Sequence, residues 1–480
     1  MLFNSFEFLY FFPLIVLGFY IIPHKNRWLW LLLASYYFYM ASEPTLVLFL
    51  LISTIVDYFC GLKMYATNKP QIKKIYLATS IAVNIGILVA FKYLFFLTST
   101  FSSVLNFFGI PTVDGESIDS YNINQILLPV GISFYTFQTM SYSIEVYRGH
   151  FQPEKHFGRF ALYVAFFPQL VAGPIERPSR LLPQLKRKVN LNIENIKKGL
   201  ILIAWGFFLK IVVADRLGMY VDQAFSDPEL HHGLPLILGA QFFTYQIYYD
   251  FSAYTSIALG AAKVMGYDLM NNFNRPFFST SITQFWKRWH ISLTQWINNY
   301  IYSPLRKGNV KRLIAVLIVF FTIGLWHGAN WTFVIWGILN ALLLIIEVGT
   351  SSIRLKIIRK LQLPKKAVLF IGWIIVNFCL SLTLVFFRAP SIAEAIVYFK
   401  NILNITGLHI NILSNYFELF LSILLVIIVQ AIHYHKGNNR IHELMTKNSK
   451  TVQWSIAIVY IFIIVLFAVN RQNTFIYFQF

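Results

Sequence analysis

Apolar runs recur along the whole chain, at about 8–23, 28–41, 45–62, 75–97, 126–147, 200–214, 234–262, 313–326, 331–348, 367–387, 417–434 and 452–470. Polar and charged residues collect between them. A bilayer's hydrocarbon core is about 30 Å thick, and a perpendicular helix needs about 20 residues to cross it. The pattern therefore predicts an all-α polytopic membrane protein. Several runs are shorter than a perpendicular span, so tilted, broken or partial helices are expected among them.

The segments between the runs give direction. Lys25 and Arg27 follow the first run, and Lys63, Lys69, Lys73 and Lys74 follow the third. The segment 98–124 carries Asp114, Glu116 and Asp119 and no basic residue. Lys and Arg concentrate in cytoplasmic loops. Loops 63–74, 174–199, 306–312 and 436–450 are thus expected in the cytoplasm, with 98–124 and the N-terminus outside. One stretch breaks the alternation. The short apolar piece Phe160–Val171 ends in Ala172-Gly173-Pro174 and has basic residues on both flanks, Arg148 to Arg159 and Arg177 to Lys198. It reads as a re-entrant segment, a geometry tolerated only under a cover of protein or around a cavity. An interfacial helix is the alternative.

Composition agrees with this reading: 57% of the 480 residues are hydrophobic and 12% charged, too few charges for an ordinary soluble domain. Lys+Arg number 40 against 20 Asp+Glu. That excess lies in short loops and not in a basic, aromatic-interleaved domain, so nucleic-acid binding is excluded. Glu7 and no basic residue precedes the first run, which is expected to be a retained span and not a cleaved signal. Cys60 and Cys379 lie in apolar runs and offer neither a disulfide framework nor a thiolate metal site; no metal is expected. Without repeats or a soluble insertion, residues 1–480 read as one membrane domain.

Candidate chemistry starts at His327, in GLWHGANWTFVIWG (Gly324–Gly337). Basic segments Arg306–Arg312 and Arg354–Lys366 bracket the two runs around it, which predicts a hairpin with His327 near its turn. From Arg312 to His327 is about 22 Å of helix, which stops the ring inside the membrane, past its middle. An ionisable group there either bonds to a neighbouring helix or serves function. Gly324 and Gly328 leave room for a ligand or another backbone. Trp326 and Trp331 are expected to wall the position, and Asn330 either orients a carbonyl or bonds between helices.

His290 lies in SITQFWKRWHISLTQWINNYIYSPL (Ser281–Leu305). Trp286, Trp289, Leu293, Trp296 and Tyr300 recur at helical spacing, which predicts one amphipathic interfacial helix over 281–303. On it His290 is either a wet interfacial side chain or a catalytic one. Asp250 stands in an apolar aromatic run, and its partner is either an unidentified base or Arg288. His433 and His435 end a run on its basic side, where snorkelling accounts for them. Neither a Gly-x-Ser-x-Gly elbow nor a His-Glu-x-x-His pattern is present, which excludes an internal hydrolase or zinc protease of those kinds.

Four stretches together carry a resemblance: ILLPVGISFYTFQTMSYSIEVYRG (Ile126–Gly149), FFPQLVAGPIERPSRLLPQL (Phe166–Leu185), FWKRWHISLTQW (Phe285–Trp296) and GLWHGANWTFVIWG. In this order, and with the closing FIYFQF, the chain resembles the membrane-bound O-acyltransferase family, in the bacterial branch that includes the alginate O-acetylation membrane protein. The resemblance implies a ring of about eleven to twelve transmembrane helices, with re-entrant and interfacial helices around a central catalytic cavity. It implies that His327 matches the family's catalytic histidine and that His290 lines the same site. Asp250, Trp289, Trp326 and Asn330 are the supporting candidates.

A cytoplasmic acyl thioester, acetyl-CoA, is the implied donor, with no permanently bound cofactor. The acceptor lies outside, reached through an extracytoplasmic SGNH-type acetyltransferase partner, and the location is the bacterial cytoplasmic membrane. The expected function is O-acetylation of a secreted or cell-wall polysaccharide. D-alanyl transfer from a carrier protein to teichoic acid is the alternative within the family, and a non-enzymatic acyl or glycan transporter the alternative outside it. Arg177, Arg180, Lys186, Arg187 and Lys188 either meet the donor's phosphates or anchor the loop. The chain departs from the branch at Asn298-Asn299, at Leu305–Asn309 and at Ser256, which bears on acceptor and partner.

Overall fold

The computed structural model describes residues 1–41, 43–110, 131–171, 173–405, 410–436, 441–443, 448–469 and 475–476. The expected outer loop beyond residue 110, the start of the run at 126, most of the loop 436–450 and most of the closing hexapeptide lie outside the described residues. Among those described the regular structure is entirely helical, and each apolar run is met by a helix. Among the described residues, six helices are long and apolar enough to cross a membrane: Pro44–Ala66, Pro70–Phe107, Trp331–Gly349, Lys365–Arg388, Tyr416–His435 and Lys450–Phe467. Phe6–Ile21 and Arg312–His327 are shorter apolar helices. The chain divides into two compact units, residues 1–196 with 261–270, and 197–260 with 271–480.

The first unit contains α1 (Phe6–Ile21), α2 (His24–Met40), α3 (Val47–Ala66), α4 (Pro70–Phe107), α5 (Ile132–Tyr147), α6 (Phe157–Ala165) and α7 (Pro178–Lys186). Helices α3, α4 and α5 pack together around a polar knot that an apolar run conceals. Asp57 is fully buried and accepts from Ser80, from Asn84 Nδ2 at 2.9 Å and from Ser143 at 3.3 Å. Thr139 and Ser53 in turn donate to Asn84 Oδ1. Neutral donors meet the carboxylate's lone pairs, as a buried acceptor requires. The stretch Phe160–Phe167 is exposed by no more than 1% at any residue. Helix α6 ends there, Phe166 breaks the path, and one further turn, Phe167–Leu170, follows. Gln138 and Gln169 both donate to the Tyr163 carbonyl. Protein covers this segment, as a re-entrant path demands, and leaves it no side for an interfacial helix to show to lipid.

The second unit holds the candidate chemistry. Helix α8 (Ile193–Phe207) enters it and runs through a π-helical stretch, Phe208–Ala214, into α9 (Asp215–Ser226). Then come α10 (Leu234–Val264), α11 (Ile282–Trp286), α12 (Ile291–Ile297), α13 (Ser303–Lys307), α14 (Arg312–His327), α15 (Trp331–Gly349), α16 (Ser351–Lys360), α17 (Lys365–Arg388), α18 (Ile392–Leu403), α19 (Tyr416–His435) and α20 (Lys450–Phe467). Helices α14 and α15 form the expected hairpin, and α17 packs against α15. An ion pair between Arg216 and Glu418 ties α9 to α19, and the same guanidinium donates to the Phe467 carbonyl at the end of α20, 2.7 Å away.

Candidate active site

The hairpin closes on glycines. A Cβ at Gly337 would lie 2.3 Å from the Phe320 carbonyl oxygen, and one at Gly324 would lie 2.5 Å from that of Phe333. Only bare backbone allows this approach. The space beside Gly328 is taken by the Phe333 ring. The room that the sequence left open to a ligand or a backbone at these glycines is therefore filled from α15. This crossing sets His327 at the end of α14, 4% exposed. Three rings face it edge-on: Trp326, Trp336 and Phe387, with centres 4.9, 5.0 and 5.1 Å from the imidazole. Trp331, expected as a wall, is 46% exposed, because one step at the helix start turns it away while Trp336 turns inward. Asn330 caps α15. Its Oδ1 accepts from Thr332 N and its Nδ2 donates to the Pro390 carbonyl, each at 3.0 Å.

Around His290 the single amphipathic helix is not found. Helix α11 stops at Trp286, the chain turns, and α12 begins at Ile291. His290 is the turning point, with φ +39°, in the left-handed region that a non-glycine residue seldom enters. Its Nδ1 accepts from the Leu293 N–H at 3.4 Å and caps α12. Asn272 braces the turn: its carbonyl accepts from Ile291 N at 2.8 Å and its Oδ1 from the Ser292 hydroxyl at 2.6 Å. The aromatic face points into the protein and not to an interface, for Trp286, Trp289, Leu293 and Trp296 are all buried. Periodicity identified the buried face but could not show that its backbone breaks. His290 itself is 1% exposed. Burial pushes its imidazole down to about 3, because the charged form loses hydration; the ring is neutral at physiological pH.

The two histidines, 37 positions apart in sequence, flank one indole. Trp326 lies 5.5 Å from the His290 ring and 4.9 Å from the His327 ring, edge-on to both. These two legs cap the separation of the imidazole centres at about 10.4 Å. Phe251 of α10 packs on the other side of His290 at 4.8 Å. Trp289 stacks on Phe285 at 5.4 Å and meets Phe273 and Tyr248.

Asp250 has found a base, and it is not Arg288. Lys210 Nζ lies 2.7 Å from Asp250 and 2.9 Å from Asp215, and all three residues are almost completely buried. The other Asp250 oxygen accepts from Ile476 N at 2.7 Å. Arg288 is partly exposed and points at the Arg275 carbonyl. A lone lysine inside the run 200–214 was the available sign of this partner. His433 also corrects its expectation. It is 1% exposed and sits among the rings of Trp205, Tyr248 and Tyr249, so the side chain packs inside the protein although it lies in the last turn of α19. In the first unit, Arg180, Lys186 and Arg187 are engaged by Glu176, Glu154 and the Gly266 carbonyl, which favours the anchoring role for that basic loop. Among the described residues, no group of three or more His, Cys, Asp or Glu side chains converges as metal ligands would.

The family model of membrane-bound O-acyltransferases matches residues 154–387, which include His290 and His327. A peptidoglycan O-acetyltransferase of Helicobacter pylori is 31% identical over 88% of this chain and 83% of its own. The chain belongs to the membrane-bound O-acyltransferase family. Probable alginate O-acetylases of Azotobacter vinelandii and Pseudomonas aeruginosa are 35% and 36% identical, over 78% and 72% of this chain and 74% and 66% of theirs. A teichoic acid D-alanyltransferase of Streptococcus thermophilus is 27% identical over 49% of this chain and 59% of its own. The protein is thus a multi-pass membrane enzyme, an O-acyltransferase, and the transporter alternative is set aside.

Proposed function

We propose that the protein takes acetyl from cytoplasmic acetyl-CoA and passes it across the bacterial cytoplasmic membrane for O-acetylation of a secreted or cell-wall polysaccharide. An extracytoplasmic SGNH-type acetyltransferase is the proposed partner. One membrane domain, 1–480, with about eleven to twelve crossings, forms the conduit. The pairing of two buried histidines across Trp326 carries this reading. It is supported by the relatives named as O-acetylating enzymes, which match over most of the chain, whereas the D-alanyltransferase matches over about half.

In this reading His327 is the general base. Its imidazole takes the proton of an acceptor hydroxyl as the oxygen attacks the thioester carbonyl. The carbon–sulfur bond breaks, the thiolate leaves, and the imidazolium returns its proton to the sulfur. His290 orients the reactants or shares the proton transfer. Trp326 and Trp336 exclude water, and a thioester needs no further activation.

Two experiments test the proposal. Purified protein in liposomes, supplied with radiolabelled acetyl-CoA on the side of the basic loops, should pass label to a purified partner on the other side. Label appearing only from a D-alanyl carrier protein would replace the donor assignment. For orientation, Lys73→Cys and Ser117→Cys are compared in a background lacking Cys60 and Cys379. An impermeant thiol reagent added outside should label only the second; the reverse pattern inverts the topology.

A further inference from the structure

Helix α16 stands clear of the protein. None of its residues is buried, and Ile353, Leu355 and Ile357 are 57%, 54% and 49% exposed. Its side chains are nonetheless sorted by face. Lys356, Arg359 and Lys360, three and four residues apart, share one side of the helix. Ile353, Leu355, Ile357 and Ile358 take the wider arc opposite. Arg354, the basic residue within that arc, turns back and donates to the Glu347 carbonyl, which leaves the arc apolar. Six Lys or Arg lie between 354 and 366, and no Asp or Glu lies between 348 and 393. None of the six meets a carboxylate among the described residues. Holding a loop on one side of a bilayer requires basic residues but no arrangement of them. A basic face set against an apolar one is the pattern of a helix lying in the interface.

Short links keep α16 there. Thr350 alone separates it from α15, and residues 361–364, at most about 14 Å of extended chain, separate it from α17. Both neighbours are long and apolar enough to cross the membrane. They also build the candidate site. Trp336 of α15 and Phe387 of α17 face His327 and meet each other at 5.1 Å. In the last turn of α15, the Glu347 carboxylate holds the start of α11, the segment that leads to the His290 turn. It accepts from Ile282 N, from Thr283 N at 3.1 Å and from the Thr283 hydroxyl at 2.6 Å.

We infer that α16 is a seat for anionic phospholipid, and that lipid seated there holds α15 and α17 at the spacing the site needs. The lipid phosphate accepts from Lys356, Arg359 and Lys360. The acyl chains cover Ile353, Leu355, Ile357 and Ile358. An acidic soluble protein would engage the charges alone and leave the wider, apolar arc uncovered, so the arc is the reason to choose a lipid.

The test uses full-length protein lacking Cys60 and Cys379, with an environment-sensitive fluorophore on Ser351→Cys beside the apolar arc. Short-chain phosphatidylglycerol is titrated into this protein in neutral detergent, with short-chain phosphatidylcholine as the comparison. The fluorophore should shift to the blue at a lower concentration of the anionic lipid. Each basic residue near an anionic surface contributes about fivefold. Lys356→Gln, Arg359→Gln and Lys360→Gln together should therefore weaken the apparent affinity at least about tenfold, and added salt should weaken that of the parent. Ile353→Gln with Ile357→Gln keeps every charge and should weaken it as well. An affinity that survives this double change would mean a purely ionic surface, suited to an acidic protein, and would overturn the lipid assignment. In vesicles, release of CoA from acetyl-CoA should rise when phosphatidylglycerol is added to phosphatidylcholine, and the triple glutamine variant should lose that rise. Equal affinity for the two lipids, or parent activity indifferent to lipid charge, would overturn the inference. No release in any lipid would count against the acetyl-CoA assignment, and the titration would then decide the seat by itself.

Discussion

His327→Asn leaves the protein folded and inserted while acyl transfer falls by about 10²–10⁴-fold, the usual cost of losing a general base. Asparagine keeps a hydrogen-bonding side chain but takes no proton near neutral pH. His327→Ala should be as inactive. The ring lies at the end of α14, after the last close backbone contact of the hairpin at Gly324, so neither change disturbs the crossing that builds the site. Transfer of acetyl label to a purified partner is measured beside membrane expression and monodispersity in detergent. Near-normal transfer by the asparagine variant would return His327 to a packing role among Trp326, Trp336 and Phe387. His290→Ala, assayed in parallel, should cost less if that ring orients the reactants and as much if it shares the proton.

Lys210→Met should give the largest loss of stability of any single change in the second unit. The substitution keeps the length of the side chain and removes its charge. Asp215 and Asp250 are then left facing each other in a dry interior, and unpairing a buried ion pair costs about 3–5 kcal/mol. The effect should spread, because Asp250 also holds Ile476 N and the Phe475 ring lies stacked on Tyr254 at 4.2 Å. Thermal unfolding in detergent gives the direct reading. Adding Asp215→Asn and Asp250→Asn to Lys210→Met should recover part of the loss, since a neutral set is less costly to bury than two unpaired carboxylates. A Lys210→Met protein that unfolds at the parent's temperature would mean that the cluster is hydrated and contributes little.

Much of the helix placement was legible because hydrophobic runs in a membrane protein report the solvent directly. Arg312–His327 and Trp331–Gly349 match the hairpin expected from two apolar runs between basic segments. What periodicity could not show was where polar atoms inside a run find partners. Asp57 and Lys210 each stand alone in a stretch that reads as apolar; the partners of Asp57 come from other helices, and Lys210 meets Asp250 of α10 as well as Asp215 just beyond its own run. The break at His290 was hidden for a similar reason. Trp286, Trp289, Leu293 and Trp296 keep helical spacing across it, while the bonds that make the turn run upstream to Asn272 and to Asn274, whose N–H donates to the Arg288 carbonyl at 2.9 Å. Both candidate histidines were visible in the sequence. Their common neighbour Trp326 was visible as well, but the exchange of Trp331 for Trp336 and Phe387 as walls needed the helix phase and α17.

The cap at the start of α12 also fixes where one proton resides. A backbone N–H only donates, so the His290 nitrogen that accepts from Leu293, Nδ1, must carry a lone pair. A neutral imidazole has one N–H, and it is then at Nε2. This tautomer presents a donor to whatever lies beyond the ring, and a donor suits an oxygen that gains negative charge better than a hydroxyl that must lose a proton. The two histidines flanking Trp326 therefore need not be interchangeable. Under the proposed mechanism, this tautomer would let His290 orient the reacting carbonyl by donating to its oxygen and would leave the proton transfer to His327.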